Sequence, residues 1–217
     1  MKSLLANPAV RLILSYIPVA FWFTLFALAQ VEHQHHPPQS AGEYSKVLED
    51  PGRDEWQKPH EVITALNLHA ADVVADIGAG TGYFARRFAM HAAKVYAVDI
   101  DPALLEIAGK SAPPNLVTIL AKPDDPLLPP SSVDLIFFCD VLHHIENRSA
   151  YYGRLRGALK PDGRVVVVDF RKGDLRIGPP DTMKLDQAAV ISEFKGAGFQ
   201  LIRNETFLPY QYFLEFR

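Results

Sequence analysis

Three short stretches of the chain concentrate residues able to bind a ligand or move a proton. They are Asp76-Ile77-Gly78-Ala79-Gly80-Thr81-Gly82, the pair Asp99-Ile100, and Cys139-Asp140-Val141-Leu142-His143-His144. Glycine at 78, 80 and 82 lets the backbone approach a ligand without a Cβ in the way and reach positive φ. A helix beginning just beyond them offers unpaired N–H groups to a carboxylate. Asp76 can organise such a loop or meet a ligand's ammonium group, and Asp99 can accept two hydrogen bonds from ribose hydroxyls. Imidazole takes a proton readily near neutral pH. His143 is therefore the candidate base, with Asp140 beside it, and His144 reads as positional.

The elements around these stretches place them together. Apolar runs occur at 73–77, 94–98, 116–120, 133–138 and 164–168, with helical patterns between most of them. Runs of this kind suit strands buried on both faces, hence a parallel sheet covered by helices. Lys122–Ser132 holds four prolines and little helical pattern, which predicts a loop for one crossover. A helix is expected over Lys58–Leu68, with Pro59 in its first turn, and another over Asp186–Ala197, stopped at Gly198. Phe199–Phe207 and Tyr210–Phe216 then read as two antiparallel strands joined at Leu208-Pro209. The result is a doubly wound, Rossmann-like α/β sheet ending in an antiparallel hairpin. Ligands in such sheets bind at the carboxyl ends of the strands, beside the switch in strand order. The three stretches all fall there.

Composition narrows the function classes. The chain has 217 residues, 48% of them hydrophobic, and a formal net charge of −3, so no basic footprint for nucleic acid is present. The single cysteine, Cys139, excludes an intrachain disulfide and any chemistry that needs a cluster of thiols. His33, His35 and His36 lie in a polar, proline-bearing linker without a fourth ligand nearby, and no metal site is expected. Ahead of that linker, Lys2 and Arg11 precede the apolar run Leu12–Ala29. It reads as an N-terminal apolar helix, either an export signal cut after Ala27-Leu28-Ala29 or an uncleaved membrane anchor. An exported or membrane-anchored location follows, with membrane association through residues 12–29. Residues 30–57 are expected to be a linker and lid, with Arg53, Trp56 and Lys58-Pro59 over the site, and 58–217 the main domain.

The glycine spacing is G-x-G-x-G, and Tyr83 stands where a dinucleotide-type G-x-G-x-x-G would have its third glycine. Four segments then matter together: DIGAGTG at 76–82, VDID at 98–101, VDLIFFCDVLHHI at 133–145 and LKPDGRVVVVDF at 159–170. With them, residues 58–217 resemble the class I S-adenosylmethionine-dependent methyltransferases, especially the small-molecule branch that includes the ubiquinone and menaquinone C-methyltransferases. The resemblance implies S-adenosylmethionine as cofactor and a small-molecule methyl acceptor. It implies that Asp76, Gly78, Ala79, Gly80, Gly82 and Tyr83 cradle the methionine portion, that Asp99 binds the ribose, and that Ile100 packs on the adenine. Asp140 and His143 would then lie beside the transferable methyl group. The family's Gly-Asp-Ala triplet after the third strand corresponds here to Ala121-Lys122-Pro123, and Asp124 is expected to take over the contact to the adenine amino group. Gly178-Pro179-Pro180-Asp181 falls where the family has a substrate-facing loop. The rival readings are a nicotinamide-dependent oxidoreductase, which Tyr83 and the C-terminal hairpin disfavour, and a domain that binds the cofactor without turnover. The apolar N-terminus favours a lipid-like or membrane-proximal acceptor.

Overall fold

Strand β1 (Val73–Ile77) is an inner strand of a seven-stranded sheet in a computed structural model that describes residues 40–110 and 112–217. It is followed by α4 (Tyr83–Phe88), β2 (Lys94–Asp99), α5 (Pro102–Lys110), β3 (Leu116–Leu120) and β4 (Val133–Cys139). Then come α6 (Arg148–Ala158), β5 (Leu159–Phe170), α7 (Gln187–Gly196), β6 (Leu201–Glu205) and β7 (Gln211–Phe216). Among the described residues three short helices precede β1: α1 (Ala41–Leu48), α2 (Arg53–Gln57) and α3 (Pro59–Leu66). The sheet order is β3-β2-β1-β4-β5-β7-β6, with the first five strands parallel and β7 antiparallel to both neighbours. The order reverses between β1 and β4, so the switch point faces the loop after β1.

The inner parallel strands β1, β2 and β4 are largely apolar because both of their faces are covered. Along β4, Leu135 and Phe137 pack with Val62 and Leu66 of α3 and Phe84 and Phe88 of α4. Ile136 and Phe138 pack with Tyr151, Tyr152 and Leu155 of α6 and Val190 and Phe194 of α7 on the other side. Burying each of these side chains contributes about 1.5–3 kcal/mol. The proline-bearing stretch between β3 and β4 holds no helix, as its composition predicts; a single bridge, Lys122 to Asp125, closes a turn there.

Element boundaries shift at the C-terminal end. β5 extends back to Leu159, with a register irregularity against β4 between Val133 and Leu135. β6 and β7 are shorter than the runs at 199–207 and 210–216, and β7 sits inside the sheet between β5 and β6. All six β7 residues are therefore buried, polar ones included. Glu215 meets Arg164 and Arg203. Asp186 caps α7 by accepting from the Ala188 and Ala189 amides, and Gly198 follows in a left-handed conformation. The apolar run Leu12–Ala29 lies outside the described residues, and with it the expected N-terminal helix; among the described residues no helix is long and apolar enough to cross a membrane.

Candidate active site

The loop after β1 is shaped by close approach. Gly78 and Gly80 have φ of 70° and 54°, which disfavour any residue with a Cβ. A Cβ on Gly78 would run into the Val141 side chain, and one on Gly80 would stand 2.9 Å from Leu48 Cδ1. The amides of Gly78 and Ala79 donate to the Val98 carbonyl, tying the loop to the end of β2. There Asp99 accepts from the Gly80 amide at 2.7 Å and the Asp101 amide at 3.0 Å. Burial pushes its carboxyl above the usual range, against the hydrogen bonds from these amides. Ile100, the next residue, is 59% exposed, an apolar side chain presented to whatever lies beside Asp99.

Asp76 is buried beneath the loop, and burial pushes its carboxyl up to about 8, opposed by a backbone hydrogen bond at Ala85 and the charge of Arg53. A buried carboxyl that keeps its proton for want of counter-charge suits a cationic ligand group, which would draw it into its ionised form. Together with the Cβ-free turn, the acidic Asp99 and the exposed Ile100, this donor set fits S-adenosylmethionine, whose amino acid part is cationic at nitrogen and whose ribose carries hydroxyls. Tyr83 has a different task from direct ligand contact. Its hydroxyl donates to Asp54, and Arg53 and Arg87 each lie 4.0 Å from its ring centroid. Asp124 is mostly exposed and paired with Arg154 at 3.5 Å, while Asp125 holds the same guanidinium at 2.8 Å.

The segment 41–57 forms a strap over this loop, fastened by polar links. Glu49 accepts from the Thr81 hydroxyl at 2.5 Å and from Arg86 at 2.6 Å. Asp54 takes Tyr83 and Arg87. The Tyr44 phenol is pushed up by burial, with Arg53 opposing and the carboxylates of Asp99 and Asp140 adding to the rise. One aromatic side chain of the strap thus senses both halves of the site.

The second half gathers at the ends of β4, β5 and β7. Asp140 adopts φ of 57° and accepts from Gln211 Nε2 at 2.6 Å; Gln211 in turn accepts from buried Gln57 of the strap at 2.8 Å. Burial and then the charge of Asp169 push the Asp140 carboxyl up to about 7. His143 sits in a short 3-10 turn, Leu142–His144, with its side chain 4% exposed. Its Nδ1 lies 3.1 Å from both oxygens of Asp169, which is fully buried at the end of β5. Burial lowers the proton affinity of His143, but the hydrogen bond and charge of Asp169 outweigh it and the net shift is upward. The His144 ring packs on that of His143 at 4.2 Å. Trp56 lies 5.6 Å from Phe170, whose ring is 2.6 Å from where a Gly178 Cβ would be, so the lid residue and the 178–181 turn meet across Phe170. Lys58 instead donates to the Phe207 carbonyl.

The structure thus brings Asp76, Gly78, Ala79, Gly80, Gly82, Asp99, Asp140 and His143 to one edge of the sheet, and sets Asp124 on a solvated ion pair. Asp169, Gln211, Gln57, Glu49 and Asp54 escaped the sequence reading. Asp169 had a signal: like Asp99, it is a carboxylate closing an apolar run, in VVVVDF.

Residues 75–167 match a family model described as a methyltransferase domain. A demethylmenaquinone methyltransferase of Tropheryma whipplei is 35% identical over 107 residues, which cover 48% of this chain and 44% of that protein. An uncharacterized methyltransferase of Mycobacterium tuberculosis is 35% identical over 106 residues, 48% of this chain and 54% of that one. The chain thus spans about half the length of the curated relatives it matches. A solved S-adenosylmethionine-dependent methyltransferase from Aquifex aeolicus shares the fold, with a TM-score of 0.76 and 22% identity over 82% of this chain and 98% of that one. Residues 75–167 thus match a methyltransferase domain, on a fold shared with a solved S-adenosylmethionine-dependent methyltransferase.

Proposed function

We propose that this protein transfers a methyl group from S-adenosylmethionine to a small-molecule acceptor, with His143 as the base. The observation that carries the reading is the pairing of a Cβ-free loop, the buried acid Asp76 and the half-buried acid Asp99 with a histidine just beyond the end of the neighbouring strand. S-adenosylmethionine, when bound, supplies a methyl carbon on positively charged sulfur. The acceptor's nucleophilic atom forms its bond to that carbon while the carbon–sulfur bond breaks, and the electron pair stays on sulfur. The protein's task is to align the two and to take a proton from the acceptor. Asp76 offers a negative charge to the ammonium group, Asp99 accepts from the ribose hydroxyls, and Ile100 gives the adenine an apolar contact. The strap excludes water above the loop.

The apolar run at 12–29 supports a lipid-like or membrane-proximal acceptor and an anchor that leaves the domain on the side where the cofactor is made. The full chain, incubated with S-adenosylmethionine carrying a labelled methyl group and a cell extract split into lipid and aqueous fractions, should label the lipid fraction. Label only in the aqueous fraction removes the lipid assignment. Calorimetry should show binding of the cofactor, weakened roughly 100-fold by Asp99→Ala through loss of charge-assisted hydrogen bonds. Absence of binding to the unmodified chain overturns the reading, and binding without transfer leaves a cofactor-dependent regulator.

A further inference from the structure

Beside the proposed methyl-transfer site stands a group of side chains that binding of the cofactor does not use. Asp169 and Tyr212 are directly opposite each other on β5 and β7, so their side chains share one face of the sheet. Asp169 is fully buried and engages His143 Nδ1 with both oxygens, while one of these oxygens also accepts from the Phe170 amide at 2.8 Å. The Tyr212 hydroxyl is buried and has no hydrogen-bond partner among the described residues. Buried hydroxyls are rarely left so. It feels the charges of both Asp169 and Asp140, which places it over the same corner.

The charges there discriminate between acceptors. Asp140, half-buried, and Asp169, fully buried, are two acids facing His143 from the ends of β4 and β5. The neighbouring cations are already engaged. Arg148 of α6 is held by Glu193 at 2.7 Å and 2.8 Å, and Arg53 by Gln57, the Leu48 carbonyl and the Tyr83 ring. An acceptor arriving as an anion would meet two acids and, among the described residues, no Lys or Arg left unengaged beside them. One arriving neutral, with a weakly acidic O–H, would meet a base and an unused hydroxyl.

We infer that Asp169 is the positioning residue for His143, fixing Nδ1 as the donor so that Nε2 takes the proton of a neutral hydroxylic acceptor of the phenol or enol class. The inference rests on the methyl-transfer reading for its step but not for its test. In that step the O–H proton passes to Nε2 and the oxygen's electron pair, directly or through a conjugated carbon, forms the bond to the methyl carbon. The imidazolium so formed is stabilised by Asp169 until it releases the proton to solvent. Tyr212 steadies the acceptor oxygen.

Nitrogen-15 NMR of the histidine-labelled full chain, without cofactor, tests the positioning role directly. His143 should show the Nδ1–H tautomer when neutral and titrate above the ordinary histidine range. Asp169→Asn should lower that midpoint by about one pH unit or more, since a charge within a few ångströms shifts a neighbour by about 1–3 units. Asp169→Glu should recover part of it. The titratable and charged groups facing His143 are Asp169, Asp140, Arg148 and the His144 ring, so the Asp140→Asn variant and the separately assigned His144 signals, measured in parallel, apportion the shift. An Nε2–H tautomer in the unmodified chain, which needs no variant to fold, overturns the inference; so does a midpoint unchanged in folded Asp169→Asn. For the acceptor class, phenol should move the His143 signals and benzoate should not. Signals that phenol leaves in place, or that benzoate alone moves, overturn the hydroxylic assignment. Loss of cofactor binding with these NMR results intact would strike the methyl-transfer reading instead.

Discussion

On the cofactor side, the groups that matter come from one turn and the end of one adjacent strand: Asp76, the glycines at 78, 80 and 82, and Asp99. On the acceptor side they come from positions far apart in the chain: Gln57, Asp140, His143, Asp169, Gln211 and Tyr212. The first set is held by backbone hydrogen bonds, as where the Gly78 and Ala79 amides meet the Val98 carbonyl. The second is held by side chains reaching side chains, as where Gln57, Gln211 and Asp140 form a relay. Backbone geometry serves a ligand that is the same in every turnover. Side-chain relays can be rewired one residue at a time, which suits the half that must distinguish acceptors.

Substitutions in the two halves should therefore fail differently. Gly78→Ala should do the most damage. The left-handed backbone costs a Cβ-bearing residue about 1–2 kcal/mol, and overpacking against Val141 adds about 1–3 kcal/mol. A lowered melting temperature and at least roughly tenfold weaker cofactor binding are expected; normal binding would mean that the loop is not set by close approach.

Asp76→Asn should act through pH. The folded carboxyl titrates at about 8, against about 4 in the unfolded chain. The folded protein thus binds more protons between these values, and stability falls as pH rises through that window. The cofactor-free variant should melt several degrees above the unmodified chain at pH 8 and together with it near pH 4, read by scanning calorimetry. A constant difference across pH would remove burial as the cause. In the same variant cofactor affinity should drop, because the counter-charge is gone.

The smallest effect is expected in the acceptor half. Gln57→Ala removes one end of the relay and should cost about 1 kcal/mol of stability, with cofactor affinity unchanged by calorimetry and methyl transfer reduced. An equal loss of cofactor affinity would erase the distinction between the halves.

The same contrast explains what could be read from the residues. The strand run at 73–77 matches β1 because a strand buried on both faces writes itself as a nearly unbroken apolar sequence, whereas the run at 116–120 matches β3, an edge strand with only Leu116 buried. The glycine loop and Asp99 were legible because local geometry demands those residue types. Tyr83 was legible as a departure from a dinucleotide loop, but not as the anchor of Asp54, Arg53 and Arg87, which depends on how the strap folds back. Gln211 and Tyr212 sit in a run that reads only as the second strand of a hairpin. Insertion of β7 between β5 and β6 buried both, and sheet order is not written in a strand's own residues.

The strap has a further consequence, in time rather than in affinity. The far end of the strap is held by buried Gln57 on Gln211, but helix α1 buries none of its side chains, and what fastens its end of the segment is Glu49 on Thr81 and Arg86 and Asp54 on Tyr83 and Arg87. Partly exposed charge pairs weaken as salt screens them. The strap is thus a clasp whose grip the surrounding electrolyte sets, and the dwell time of whatever lies beneath it belongs to the solution as much as to the protein.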